Sequence, residues 1–384
     1  MKVAILFQGD LKRVSIGGVA EYVKNLIRFR GDNEVTLFGS CHRGDFAVAV
    51  PVRREVMGSE YTFVPLCDDS RGPLSLWFTL SLHHHRDDLD DFDAIYCQRP
   101  EYCLALNEHV AEGRLFQIIH GSSAYTIRPL NYIVAKAYLA IERSSIRKCT
   151  RTFVIMKRDE VGLGYYRRLY PNMVEKFTYG RIPVDTGVFH IKDKASVRAA
   201  YGIDPERFVI TFVGRVEDYP KRILLFPRIV GELRDLDPLF IVVGDGSSLG
   251  LLRDSIGGAE LDRCFNLVGY CGDRDKLADY NALSDMTVNI SAFEGTCTSS
   301  LESIACGTPV LSTDVGDIRV FIPRDKNGVI IPNGSDEQIV SDAVAAIRRM
   351  RDCPVVMNDE YKAYCCENAF SELFGIFEAV RAGR

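Results

Sequence analysis

The chain alternates short apolar runs with helical stretches, pauses, and then repeats the pattern. KVAILFQ, EVTLFGS, YTFVPL, DAIYCQ, RLFQIIH and RTFVIM are each dense in Val, Ile, Leu and Phe, and each has the length of one buried strand. Between them lie helix-like stretches such as VAEYVKNLIRF and LNYIVAKAYLAIERSSIR. Strands buried on both faces and separated by helices make a parallel, doubly wound sheet. After GRIPVDTGVF and another helical stretch, the pattern restarts with RFVITFVG, LFIVVG, CFNLVG, MTVNIS, TPVLST and GVIIP. The expectation is an α/β chain of two Rossmann-like domains, residues 1–182 and 183–366, facing each other across a cleft. The stretch ENAFSELFGIFEAVRAG within 367–384 has helical spacing, and by spacing alone it packs on the second domain as an ordinary terminal helix.

A length of 384 residues suits two domains rather than one. With 47% apolar and 26% charged residues the chain can bury a core and cover it, which argues against disorder. A formal net charge of -5 argues against a dedicated nucleic-acid binder. No apolar run approaches the ~20 residues of a spanning helix, and MKVAILF enters a strand without the apolar core of a signal peptide. The twelve cysteines form no CxxC pair and no Cys/His group at zinc spacing. A reducing, cytoplasmic location is expected.

Doubly wound sheets bind ligands beyond the carboxyl ends of their strands, so those ends are where chemistry is sought. The most informative stretch is TVNISAFEGTCTSSLESIACGTPV, residues 287–310: a strand, a loop, and a helix that ends at Gly307. Thr298, Ser299 and Ser300 are capping types, so the helix is expected to start there and to offer its N–H groups and dipole to an anion. Glu294 on the loop and Glu302 one turn into the helix can border one pocket. A carboxylate suits two neighbouring ribose hydroxyls and repels phosphate. The alternatives are helix-dipole compensation for Glu302 and a plain loop charge for Glu294.

In VITFVGRVEDYPKR, residues 209–222, Arg215 offers a rigid fork and Lys221 a compact charge. Together they could neutralise a diphosphate without a metal, although two basic residues on a polar loop also occur by chance. Gly17 and Gly18 open a helix after the first strand, which fits either a ligand approaching the backbone or a simple helix-starting turn. His120, at the end of RLFQIIHG, is either a cleft residue or a satisfied structural histidine.

Other features carry less. Four DxD patterns, at Asp88–Asp90, Asp91–Asp93, Asp235–Asp237 and Asp273–Asp275, reflect aspartate content, and no metal is expected. His83, His84 and His85 are read as solvated in a polar connection. VVGDGSSLG has glycines at 244, 246 and 250, the wrong spacing for a dinucleotide fingerprint. Residues 125–176 hold eleven Lys/Arg against four Asp/Glu, which is a face for anionic lipid or an anionic acceptor, or a merely solvated basic face.

Taken in order, GGVAEYV, IIHG, GRIPVDTGVF, FVGR with its downstream lysine, VVGDG, NLVGY and EGTCTSSLESIACGTPV resemble the GT-B glycosyltransferases, in particular the retaining family-4 group, over essentially the whole chain. The resemblance implies that the last helix crosses back to the first domain, the acceptor side, and that the second domain holds a nucleotide-sugar donor. It assigns Glu302 to the nucleotide ribose, Glu294 to the donor sugar, and Arg215 and Lys221 to the diphosphate. Gly17 and Gly18 become the loop over the phosphates, and His120 a residue beside the transferred sugar. The backbone of Cys297, Thr298 and Ser299 would hold phosphate or sugar oxygens, with Tyr270 near the base. The departures are Arg222, where glycine usually follows the lysine, and GTCTS, where the loop often reads GFGLV.

The expected activity is retaining transfer of a hexose or N-acetylhexosamine from a nucleotide-diphosphate sugar, most often UDP, to a glycan, glycolipid or small-molecule acceptor. No cofactor or nucleic-acid partner is expected. The setting is envelope polysaccharide synthesis, with possible peripheral membrane contact through the basic 125–176 stretch. The alternatives are a nucleotide-sugar epimerase of the same fold, a transferase acting on a natural product, or a non-catalytic relative.

Overall fold

The computed structural model describes residues 1–12, 18–42, 44–45, 47–70, 72–123, 131–158 and 160–383. They form two compact units: Met1–Pro183 together with Cys366–Arg384, and Val184–Cys365. The sequence boundaries lie one residue away at each junction. Cys366 belongs to the first unit because its side chain is fully buried in that unit's core beside Phe370 and Phe374.

The first unit is an eight-stranded sheet of β1 (Lys2–Leu6), β2 (Glu34–Cys41), β3 (Val52–Val56), β4 (Ser59–Asp68), β5 (Ala94–Cys97), β6 (Leu115–Ile119), β7 (Arg151–Val154) and β8 (Phe177–Tyr179). Its order is β3-β4-β2-β1-β5-β6-β7-β8, parallel except where β3 pairs antiparallel with β4. The second unit is a fully parallel sheet of β9 (Val209–Val213), β10 (Leu239–Val243), β11 (Phe265–Gly269), β12 (Met286–Asn289), β13 (Val310–Thr313) and β14 (Gly328–Ile331), in the order β11-β10-β9-β12-β13-β14. Numbered from its own first strand, that order is 3-2-1-4-5-6, the Rossmann arrangement. Without its β3 hairpin and β8, the first sheet repeats it.

The central strands are buried throughout because helices cover both faces: all four residues of β5 and all five of β6 are buried. In the second unit a run of rings crosses the core, from Phe212 to Phe226 at 5.1 Å, to Phe240 at 4.8 Å and to Phe265 at 5.2 Å. The last helix, Cys366–Ala382, buries Ala369, Phe370, Leu373, Phe374 and Phe377, a stripe at three- and four-residue spacing. Phe377 packs on Phe116 at 4.3 Å and on Tyr96 at 5.4 Å, so the stripe sits on the first sheet and not the second. Among the described residues, no helix is long and apolar enough to cross a membrane.

Topology selects where a ligand fits. In a 3-2-1-4-5-6 sheet the connections from strands 1 and 4 run to opposite sides, which opens a crevice at their carboxyl ends. In the second unit that point lies after β9 and β12, which are paired through Ile210 and Thr211. In the first it lies after β1 and β5.

Candidate active site

β9 and β12 deliver their following loops to one place. β9 leads through Gly214 to Arg215 and Lys221; β12 leads through Ser291 to Glu294 and then to the helix Thr298–Ala305. The Lys221 ammonium forms an ion pair with Glu294 Oε1, and the Ser291 hydroxyl donates to the same oxygen at 2.7 Å. The Ala292 N–H donates to the Pro220 carbonyl at 2.7 Å, which ties the two loops together. Both charged side chains are about 15% exposed (14% and 15%), so the pair is largely sheltered and removing one partner leaves an uncompensated charge.

Arg215 stands on the same loop but does not join that pair. It is 65% exposed and pairs with Glu217 at 3.0 Å. An exposed pair of this kind contributes at most about 1 kcal/mol, so Arg215 can exchange Glu217 for an incoming anion at little cost. Arg222, where glycine was the expected neighbour of the lysine, has φ 52, in the left-handed region that glycine enters without strain. Its guanidinium is held by the Asn333 side chain at 2.7 Å and lies 3.6 Å from Asp336.

The helix after the loop starts at Thr298, but its cap is Cys297, at φ 49, with no side-chain cap bond. The expectation that a hydroxyl residue would cap it is corrected here: Ser300 is buried, while Thr298 is exposed and occupies the first helical position. The first N–H groups of a helix have no partner within it, and in this helix those belong to Thr298 and Ser299 at the crevice. Glu302 lies three residues beyond Ser299 and four beyond Thr298, on the same face, and is half-buried. The rest of the helix is packed away: Ser300, Leu301, Ser303, Ile304 and Ala305 are buried. Tyr270 follows β11 and is 55% exposed.

The glycines of VVGDG serve packing. A Cβ on Gly244, at φ 148, would lie 1.8 Å from the Gly214 carbonyl oxygen, and one on Gly246 would lie 2.4 Å from that of Val216. Close approach of the β9 and β10 exits therefore requires them. Among the described residues no group of three or more His, Cys, Asp or Glu is placed to hold a metal ion.

The first unit carries His120 after β6 and Gly18 as the first residue of the helix Gly18–Arg28; Gly17 lies outside the described residues. His120 Nε2 lies 2.8 Å from the Gln98 side-chain oxygen, and Tyr22 meets the ring edge-on at 5.3 Å. Burial pushes the imidazole down to about 3, so it is neutral in ordinary buffers. With the glutamine oxygen accepting, Nε2 carries the proton and Nδ1 is the acceptor.

Sequence reading missed two polar clusters. Below Glu294, the buried side chains of Asn289, Ser291 and Thr313 hydrogen-bond one another's groups. In the first unit, Glu142 is fully buried and accepts from Tyr170 at 2.8 Å and Tyr166 at 3.3 Å, and burial raises its carboxyl to about 7. The available signal was a polar side chain inside an apolar run, as in TVNIS and VLST, because such a group must find partners when buried.

Residues 207–349 match the family Glycosyl transferases group 1. A D-inositol 3-phosphate glycosyltransferase of Segniliparus rotundus is 27% identical over 58% of this chain and 49% of its own. The chain spans about half the length of that relative. Among solved structures, a sucrose-phosphate synthase of Thermosynechococcus elongatus superposes with a TM-score of 0.71 at 15% identity, covering 100% of this chain and 96% of its own. Anabaena HepE, solved with UDP and glucose, gives 0.70 at 12% identity, covering 99% and 100%. Residues 207–349 thus match a Glycosyl transferases group 1 domain, and the fold of the whole chain is the two-sheet GT-B fold of these structures.

Proposed function

We propose that the protein is a retaining glycosyltransferase that takes a hexose or N-acetylhexosamine from a nucleotide-diphosphate sugar, UDP in the first instance, and passes it to a glycan, glycolipid or small-molecule acceptor. The observation that carries this reading is the sheltered Lys221–Glu294 pair at the carboxyl ends of β9 and β12. It sets a cation for phosphate beside a carboxylate for sugar hydroxyls, next to a helix N-terminus. The complex of Anabaena HepE with UDP and glucose supports the same donor class.

In this reading Glu302 accepts from the ribose hydroxyls and Tyr270 lies by the base. Arg215, Lys221 and the N–H groups of Cys297, Thr298 and Ser299 hold the diphosphate. Glu294 accepts from the donor sugar. On the first unit, Gly17 and Gly18 serve the phosphates and His120 the transferred sugar, as a neutral hydrogen-bonding group. The bond from the anomeric carbon to the phosphate oxygen breaks, and a bond to the acceptor oxygen forms on the same face. The acceptor's proton passes to a phosphate oxygen. Charge on the leaving diphosphate is met by Arg215 and Lys221, so no metal or other cofactor is required.

The setting we favour is cytoplasmic polysaccharide assembly, with peripheral contact at an anionic membrane. Tyr132 and Ile133, 71% and 78% exposed, open the helix Tyr132–Lys148, which also carries exposed Lys136, Arg143 and Arg147.

The test is a screen of UDP-glucose, UDP-galactose, UDP-N-acetylglucosamine and GDP-mannose for thermal stabilisation, followed by product analysis with and without acceptors. A true donor at 100 times its Kd adds about 2.7 kcal/mol to apparent stability. Stabilisation by none of the four contradicts the proposal, and a new nucleotide sugar formed without acceptor replaces it with an epimerase.

A further inference from the structure

Glu294 meets its surroundings through one oxygen. Oε1 takes both the Lys221 ammonium and the Ser291 hydroxyl, whereas Oε2 has no hydrogen-bond or ion-pair partner among the described residues. The two Oε1 contacts differ in kind. Lys221 is a flexible cation that a diphosphate would compete for. Ser291 is fully buried, and its own carbonyl accepts from Thr313 Oγ1 at 2.6 Å, which fixes its main chain and leaves only rotation about χ1 to move the hydroxyl.

The hydroxyl also lies 2.6 Å from the side-chain oxygen of Asn289, which is itself buried. One serine proton cannot be donated to two acceptors, and an ionised carboxylate has none to give. Turning the Asn289 amide end for end removes the conflict, since its oxygen and nitrogen are interchangeable on geometry alone. The amide NH2 then donates to Ser291 Oγ, and Ser291 donates to Glu294 Oε1. The amide oxygen comes to face Ser300 Oγ, 3.5 Å away. Every proton in this chain has one acceptor, and its direction runs from the sheet to the carboxylate.

We propose that Ser291, backed by Asn289, is a positioning residue that pins Oε1 of Glu294 and so presents Oε2 to the donor sugar. The assignment rests on the reading that Glu294 contacts that sugar. When the diphosphate claims Lys221, Ser291 is the partner that remains, and it keeps the carboxylate from rotating with the departing lysine. The effect belongs to turnover more than to binding, because the nucleotide is held by other groups.

The test is a kinetic cycle of wild type, Ser291→Ala, Glu294→Gln and the double variant, using whichever of the four screened nucleotide sugars turns over. Rates are taken per folded site, counted by calorimetric titration with UDP, so a misfolded fraction does not enter. Ser291→Ala is expected to lower kcat about 10-fold with the donor KM changed less than about 2-fold, and to cost less than about 2-fold once Glu294 is already Gln. Wild-type kcat in Ser291→Ala, or the same 10-fold loss in both backgrounds, overturns the role of Ser291 and leaves the donor reading standing. A wild type that turns over none of the four and does not bind UDP overturns the donor reading, and this assignment with it.

Discussion

The two units share a strand order and differ in what they put at its carboxyl edge. In the second unit, the edge carries charge: Lys221 against Glu294, Arg215 exposed, and a helix N-terminus. In the first unit, ion pairs occur there too, Asp10 with Arg54 at 2.8 Å after β1 and Arg99 with Glu101 at 2.6 Å after β5, but beside them sits a neutral cluster: His120 pushed down to about 3, buried Gln98 next to it, and the Tyr22 and Tyr96 hydroxyls bonded to each other at 2.9 Å. Elsewhere in that unit, burial has raised the Glu142 carboxyl to about 7. One sheet order thus supports two different mixtures of charged and neutral groups. A lysine beside a helix N-terminus suits a diphosphate; a neutral, hydrogen-bonding cluster suits sugar hydroxyls, which carry no charge to compensate.

If that contrast is functional, the largest effect lies at the charged edge. Glu294→Ala is expected to cut turnover on the order of 10²-fold while circular dichroism and melting show an intact fold; near-normal turnover would sink the assignment. Stability separates the two cations on the β9 loop. Lys221→Met, which strands a sheltered carboxylate, is expected to cost about 3 kcal/mol in urea unfolding and to be largely offset by adding Glu294→Gln. Arg215→Ala, at an exposed pair, should cost less than about 0.5 kcal/mol. Equal costs for the two would erase the distinction between a sheltered and an exposed cation.

In the first unit the effects are smaller and depend on pH. The Glu142 carboxyl is raised in the fold, so its contribution is full below about 4.5 and is lost as pH rises through about 7. Glu142→Gln removes that dependence, so the stability of the variant relative to wild type should climb between pH 4.5 and 7 and level off above. A flat difference would show that Glu142 is ionised throughout. The smallest signal belongs to His120. Its folded value is lowered, so its contribution is present above about 6.5 and is lost as pH falls towards 3. Its ring resonances should not titrate between pH 5 and 8 by NMR, and a midpoint near 6.5 would place it in water instead.

The parts legible in the sequence were those governed by pattern. Twelve apolar runs gave twelve strands, because most of these strands are buried on both faces and carry little polar alternation to hide them. β3 was invisible since VRREV is an edge strand with charged, half-exposed residues, and β8 because FTY is too short to show a period. At the site, Glu294 and Lys221 were legible as residue types at strand ends, and their pairing fits that reading. Their support was not: Asn289, Ser291 and Thr313 are ordinary polar letters until folding puts them in the same dry space. The left-handed cap at Cys297 was equally hidden, since three hydroxyl residues follow it and each is a better cap by type.

The measurement closest to the central claim is hydrogen exchange of the wild-type protein with and without saturating UDP. Binding at the charged edge predicts new protection concentrated in Gly214–Arg222 and in Glu294–Ala305, the two segments that follow β9 and β12. Protection confined to the first unit, or no change in either segment at a UDP concentration that saturates calorimetric binding, would contradict it.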